Sequence, residues 1–111
     1  MSWENILKRG KKLNMDSIVY ATADINEAFR GKTFYSRKVG QNPYIGEVID
    51  RFVEAYLFNE NLRDPQAHPP QKQRIRSHFT MVVKLLKKNH DLETGLTRLG
   101  KENAQYYVFA K

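Results

Sequence analysis

Between residues 74 and 90 the sequence RIRSHFTMVVKLLKKNH holds two arginines, three lysines, two histidines and no acid. Guanidinium and ammonium groups concentrated in this way can neutralise a run of phosphates. On a helix, Ile75, Phe79, Val82, Val83 and Leu86 fall within about 100° of one another, the width of a stripe that faces a core. Arg74, Arg76, Lys84, Lys87 and Lys88 share the opposite arc with the small hydroxyl residues Ser77 and Thr80, which suit close approach to a phosphate. The plain alternative is a solvated helix face. Such faces usually mix acids with bases, because i, i+4 pairs stabilise them and like charges repel. The helix dipole favours Lys87 and Lys88 near the C-terminal end, but Arg74 and Arg76 run against it. Contact with a polyanion is the reading these residues support.

Other chemistry finds less support. His68, His78 and His90 follow no HxxxH or HExxH pattern, so no metal site is expected. The chain has no cysteine, which removes disulfides, thiolate catalysis and Cys-ligated zinc. Ser, His and Asp occur without GxSxG, GxGxxG or a phosphate-binding glycine loop. The expectation is a binding protein without cofactor, not an enzyme. Tyr106, Tyr107 and Phe109 have faces on which bases could stack, but alternation along a strand sends some of them into a core.

Those side chains need a scaffold. Residues 2–12, with Trp3, Ile6 and Leu7 among Lys8, Arg9, Lys11 and Lys12, read as a short helix or a basic arm. SIVYA (17–21) reads as a strand and ADINEAFRG (23–31) as a brief helix ending at Gly31. Residues 32–40 suit a strand or an extended loop. Asn42 and Pro43 then signal a helix start, and Ile45, Val48, Ile49, Phe52, Val53 and Tyr56 recur at spacings of three and four to about residue 59. Pro65, Pro69 and Pro70 make 59–71 a connector. LTRLG (96–100) and QYYVFA (105–110) form a hairpin around KENA.

At 111 residues the chain is read as one domain. A hydrophobic share of 41% with thirteen aromatics argues against disorder despite the charge. The net charge of +7 is segregated: residues 1–40 balance at +4, 41–64 at −3, 65–90 at +6 and 91–111 at zero. Segregation of this kind concentrates a field on one side and draws polyanions to it. No apolar run is long enough to span a bilayer and no secretory signal is evident, so a cytoplasmic protein without a membrane partner is expected.

In element order the chain resembles a winged helix-turn-helix domain, through SWENILKRGKK, SIVYA, NPYIGEVIDRFVEAYLFN, RIRSHFTMVVKLLKKN and the hairpin LTRLGKENAQYYVFA. The resemblance implies a small α+β domain with a helical core and a C-terminal β-hairpin, acting as a DNA-binding regulator. It implies that Arg74, Arg76, Ser77, Thr80, Lys84, Lys87 and Lys88 face DNA or RNA, with Arg98 and Lys101 on the wing. The connector 59–71 departs from that pattern, being longer than the three or four residues of a helix-turn-helix. Residues 23–40 have no fixed place in it. The opening MSWENILK separately resembles the starts of small phage and marine microbial proteins. The second functional reading is a protein-interaction or accessory module, of phage by that resemblance, that docks an acidic protein surface.

Overall fold

Helix formation begins at Asn14. The computed structural model describes residues 13–110, and in it the Asn14 side-chain oxygen accepts from the Asp16 amide at 2.9 Å, capping α1 (Met15–Ala28). That contact satisfies one of the amides a helix start leaves unpaired. Ile18, Ala21 and Ile25 follow at spacings of three and four and are buried, with Ser17 beside them. Residues 17–21 are therefore helical, which corrects the expected strand, and the short helix expected over 23–31 is the end of the same element. The strand preference of β-branched residues is weak against a capped start and an apolar stripe of helical period. The helix or arm read over residues 2–12 lies outside the described residues.

In α2 (Ile45–Arg63), Ile45, Val48, Phe52, Val53 and Tyr56 are buried as their spacing requires. The helix starts after the Asn42–Pro43 signal, because those two residues are used elsewhere. The Asn42 side chain donates to the Val39 carbonyl at 2.9 Å, and the Pro43 carbonyl accepts from the Tyr35 amide at 2.9 Å. The helix also outlasts its expected end. Asn14 donates to Glu60 at 3.1 Å and Arg63 to Asp16 at 2.7 Å, so the start of α1 holds the last turn of α2. Pro65 then ends it, since a residue before proline avoids the α region and Asp64 sits at φ −151°, ψ 90°. Pairing of Asp16 with Arg63 and of Asp24 with Arg51 runs the two helices antiparallel. Asp24 raises the Arg51 pKa further above its ordinary value, through its hydrogen bond first and its charge second.

The cationic segment was expected as one helix over 74–90. It is instead α3 (Lys72–Ser77) and α4 (Phe79–Lys88), broken at His78. The His78 amide donates to Ile75 at 3.1 Å, a tighter step than the i−4 bond of an α-helix. His78 keeps right-handed helical angles (φ −73°, ψ −15°), so the apolar phase survives the break. Ile75, Phe79, Val82 and Leu86 are all buried, and Val83 packs against them.

Strands β1 (Thr33–Tyr35), β2 (Leu92–Leu99) and β3 (Glu102–Phe109) form an antiparallel sheet in the order β1-β3-β2. The hairpin turn is shorter than expected: Leu99 faces Glu102, leaving Gly100 and Lys101 as a two-residue loop, with most of KENA in β3. Gly100 at φ +64° takes the first loop position, where the mirror-image turns that suit hairpin twist favour glycine. Phe34 meets Phe29 and Phe109 edge-on or nearly so, with centroids 5.0 and 5.9 Å apart. The Phe52 and Phe79 rings meet at 5.9 Å. Helices and sheet thus share one core in a small α+β domain with a C-terminal hairpin.

Candidate nucleic-acid interface

Burial of one stripe on α4 dictates what its other side shows. With Phe79, Val82 and Leu86 turned inward, Thr80, Lys84, Lys87 and Lys88 are exposed on the outer arc. None of the three lysines carries an ion pair among the described residues. The sequence places no acid between Asp64 and Asp91, so none is offered from within the segment itself. Leu85 lies at the edge of this arc and is 43% exposed.

The arginines of α3 stand differently. Arg76 is hydrogen-bonded and ion-paired to Asp50 of α2. Arg74 is half-buried, and its carbonyl accepts from the Ser77 hydroxyl at 2.7 Å. The expected mutual repulsion along the cationic arc is therefore offset at Arg76 by a carboxylate from a neighbouring helix, 26 residues away. Nothing in the local pattern of 74–90 could reveal that partner.

Three other arginines have this cross-linking role. Arg51 holds Asp24 through two nitrogens, at 2.8 and 3.2 Å, and Arg63 joins α2 to α1. Arg37 donates to the Asn103 carbonyl at 2.7 Å and sits 3.7 Å from Glu102, pinning the β1–α2 loop to the hairpin end. A planar fork of donors suits such joints, whereas lysine remains a hydrated point charge.

Arg98 and Lys101 are exposed, on β2 and at the hairpin turn. Arg98 stands six residues along β2 from buried Leu92, about 20 Å at the usual strand rise. The structure thus gathers Thr80, Lys84, Lys87 and Lys88 on one face and sets Arg98 and Lys101 at the far end of the hairpin. Between them on the strand, Leu96 is 83% exposed, a residue that sequence reading assigned only to the hairpin.

The end of α4 is held in a particular way. The Asp91 amide donates to Leu86 at 2.8 Å and the His90 amide to Lys87 at 3.1 Å, the paired bonds of a Schellman cap. His90 takes the left-handed position at φ +63°, which glycine usually fills. The cap fixes where Lys87 and Lys88 sit relative to β2. Of the tyrosines once considered for stacking, Tyr107 packs against the core, and burial raises its pKa. Tyr106 lies over Gly95, where an added Cβ would fall 2.4 Å from its hydroxyl.

Among the described residues, no group of three or more His, Asp or Glu side chains is placed to hold a metal ion. No helix there is long and apolar enough to cross a membrane. No protein-family model, curated protein or solved structure matches the chain.

Proposed function

We propose that the chain binds nucleic acid, with Lys84, Lys87 and Lys88 neutralising phosphates and Thr80 close to the backbone. One observation carries this reading. Three lysines and a hydroxyl share an exposed face without ion pairs among the described residues, on a helix anchored by Phe79, Val82 and Leu86. Phosphates would displace only water and counterions from such a face. Arg76 belongs to the scaffold in this account, and Arg98 and Lys101 supply a second, smaller contact.

The order helix, strand, three helices and hairpin, with β1 paired to β3, favours a winged helix-turn-helix layout in which the short α3 is an addition. α1 and β1 then take the places first given to residues 2–12 and 17–21. α4 takes the recognition position and β2–β3 the wing. A DNA-binding regulator is the role this layout implies.

The test is retention of duplex DNA, single-stranded DNA and RNA in gel shifts at low and physiological salt. Binding should weaken steeply as salt rises, because each neutralised phosphate releases counterions. The combined exchange Lys84→Glu, Lys87→Glu and Lys88→Glu should abolish retention while the far-ultraviolet circular dichroism is unchanged. Survival of binding in that variant would remove α4 as the contact surface. The exposure of Leu85 favours a second reading, docking to an acidic protein surface. An interface anchored on apolar contact would hold at salt concentrations that release a polyanion.

A further inference from the structure

The surface formed by α1 and α2 has features that the lysine face complements. Tyr20 and Phe58 stack with centroids 6.2 Å apart, yet remain 39% and 55% exposed. They line an open groove of about 700 Å³ together with the carboxylates of Asp24, Glu47, Asp50 and Glu54. Asp24 is answered by Arg51 and Asp50 by Arg76. Glu47 and Glu54 carry no ion pair among the described residues. Stacked aromatics beside unpaired carboxylates suit an apolar anchor flanked by ammonium groups, and they repel a polyanion.

That complement is present on α4. Leu85, 43% exposed, sits at the edge of the solvated arc, one turn from Lys88. Lys84 and Lys88 are about 6 Å apart along their helix, and Glu47 and Glu54 about 10.5 Å along theirs. Flexible four-carbon stems span the difference.

We propose that α4 of one molecule docks into the α1–α2 groove of a second copy. Leu85 meets Tyr20 and Phe58 there, and Lys84 and Lys88 face Glu54 and Glu47. The two surfaces differ and each copy carries both, so the docking either is reciprocal between two copies or runs head-to-tail. Pairing of the groove with itself would set carboxylate against carboxylate. The net charge of +7 opposes association at long range. Screening over about 10 Å at 0.1 M salt leaves the local pairs to decide. The docking uses the lysines assigned above to nucleic acid, but it rests on their charge and on the exposure of Leu85, not on that assignment.

Sedimentation velocity of the full chain, over a concentration series reaching the millimolar range at moderate salt, tests it. The weight-average mass should climb above the 13.0 kDa monomer with concentration. Two variants, Glu47→Lys with Glu54→Lys and Lys84→Glu with Lys88→Glu, should each stay at the monomer mass alone. Mixed in equal amounts they should associate, because the reversed groove of one meets the reversed helix of the other. A wild-type chain that stays monomeric, a single variant that still associates, or a mixture that does not, overturns the proposal. Circular dichroism confirms that both variants fold. The groove variant keeps all three α4 lysines, so its retention of duplex DNA reports on the nucleic-acid reading separately.

Discussion

α3 and α4 are two halves of one cationic stretch, and the structure treats their charges oppositely. In α3 the Arg76 guanidinium reaches across to Asp50, and the Ser77 hydroxyl turns back to the Arg74 carbonyl. In α4 Lys84, Lys87 and Lys88 meet water. Cationic density along a sequence is therefore not the same as charge available to a partner. Arg51, Arg63 and Arg76 join one element to another, while Lys84, Lys87 and Lys88 are left exposed. What distinguishes the halves is an ion pair: Asp50 of α2 holds Arg76, whereas Lys84, Lys87 and Lys88 carry none among the described residues.

The comparison depends on both halves being held by the same core, and the largest predicted effect attacks that. Phe79 is 6% exposed at the junction and packs edge-on against Phe52 of α2. Phe79→Ala should cost about 3–5 kcal/mol, from lost transfer energy and the cavity left behind. A urea titration reads this as a large fall in the midpoint. A loss below about 1 kcal/mol would mean that the junction does not anchor α4, since even conservative core trimming reaches that size.

Next in size is the difference between lysines and arginine in binding. Replacing Lys84, Lys87 or Lys88 singly by Ala should lower the slope of log affinity against log salt by about 0.9 each on duplex DNA, one phosphate contact apiece. Arg76→Ala should leave that slope where it was. Equal slope changes for all four residues would erase the distinction between the halves.

Part of this contrast could be read in the sequence and part could not. The apolar stripe Ile75, Phe79, Val82, Val83, Leu86 was readable because the break at His78 keeps helical angles and so preserves the period of burial. The break itself left no mark for the same reason. Residues 17–21 misled because three β-branched or aromatic neighbours look like a strand. What makes them helical is the Asn14 cap and the bond from Ser17 to Glu60, 43 residues away. The turn at Gly100 was signalled by the glycine, but the register that shortens the loop depends on pairing along all eight residues of β2. The exposed lysines were readable as a class, whereas the carboxylate that withdraws Arg76 from them was not. Local periodicity survives in a linear reading, and charge pairing between distant elements does not.

A held group and a solvated one also answer pH differently, and Tyr56 shows the held case. It is 1% exposed on α2, and its hydroxyl oxygen accepts from the Asn14 amide at 2.9 Å. Burial is the main cause that raises its pKa above the ordinary value of 10.0. A raised folded value means that its contribution is fully present below the unfolded pKa and is lost as pH climbs through the folded one. Stability should therefore decline on the alkaline side, above about pH 10. Tyr56→Phe should flatten that decline while costing about 1 kcal/mol at neutral pH, where the Asn14 amide loses its acceptor. Thermal denaturation at a series of pH values measures both. An unchanged alkaline limb would place the titrating group elsewhere.

The smallest effect is the most diagnostic of the two halves. Arg76 and Asp50 are 45% and 59% exposed at their side chains, so solvent screens the pair and its loss in Arg76→Ala should cost about 0.2–1 kcal/mol. Arg76→Lys should recover part of that, because Arg76 reaches Asp50 through one nitrogen and an ammonium keeps one charged donor. Lys84→Ala, on the open face, should leave the urea midpoint unchanged within error, since it has no partner among the described residues to lose. Asp50→Asn gives the decisive control. If Arg76 is held by that carboxylate, Asp50→Asn and Arg76→Ala should not be additive, and a double-mutant cycle should return a coupling of a few tenths of a kcal/mol. With Asp50 neutralised, Arg76 is also released to join the cationic arc, and affinity for duplex DNA should rise slightly at low salt. A fall in affinity instead would show that Asp50 serves the binding surface by positioning α3, and the line between scaffold and contact would then run through α4 itself.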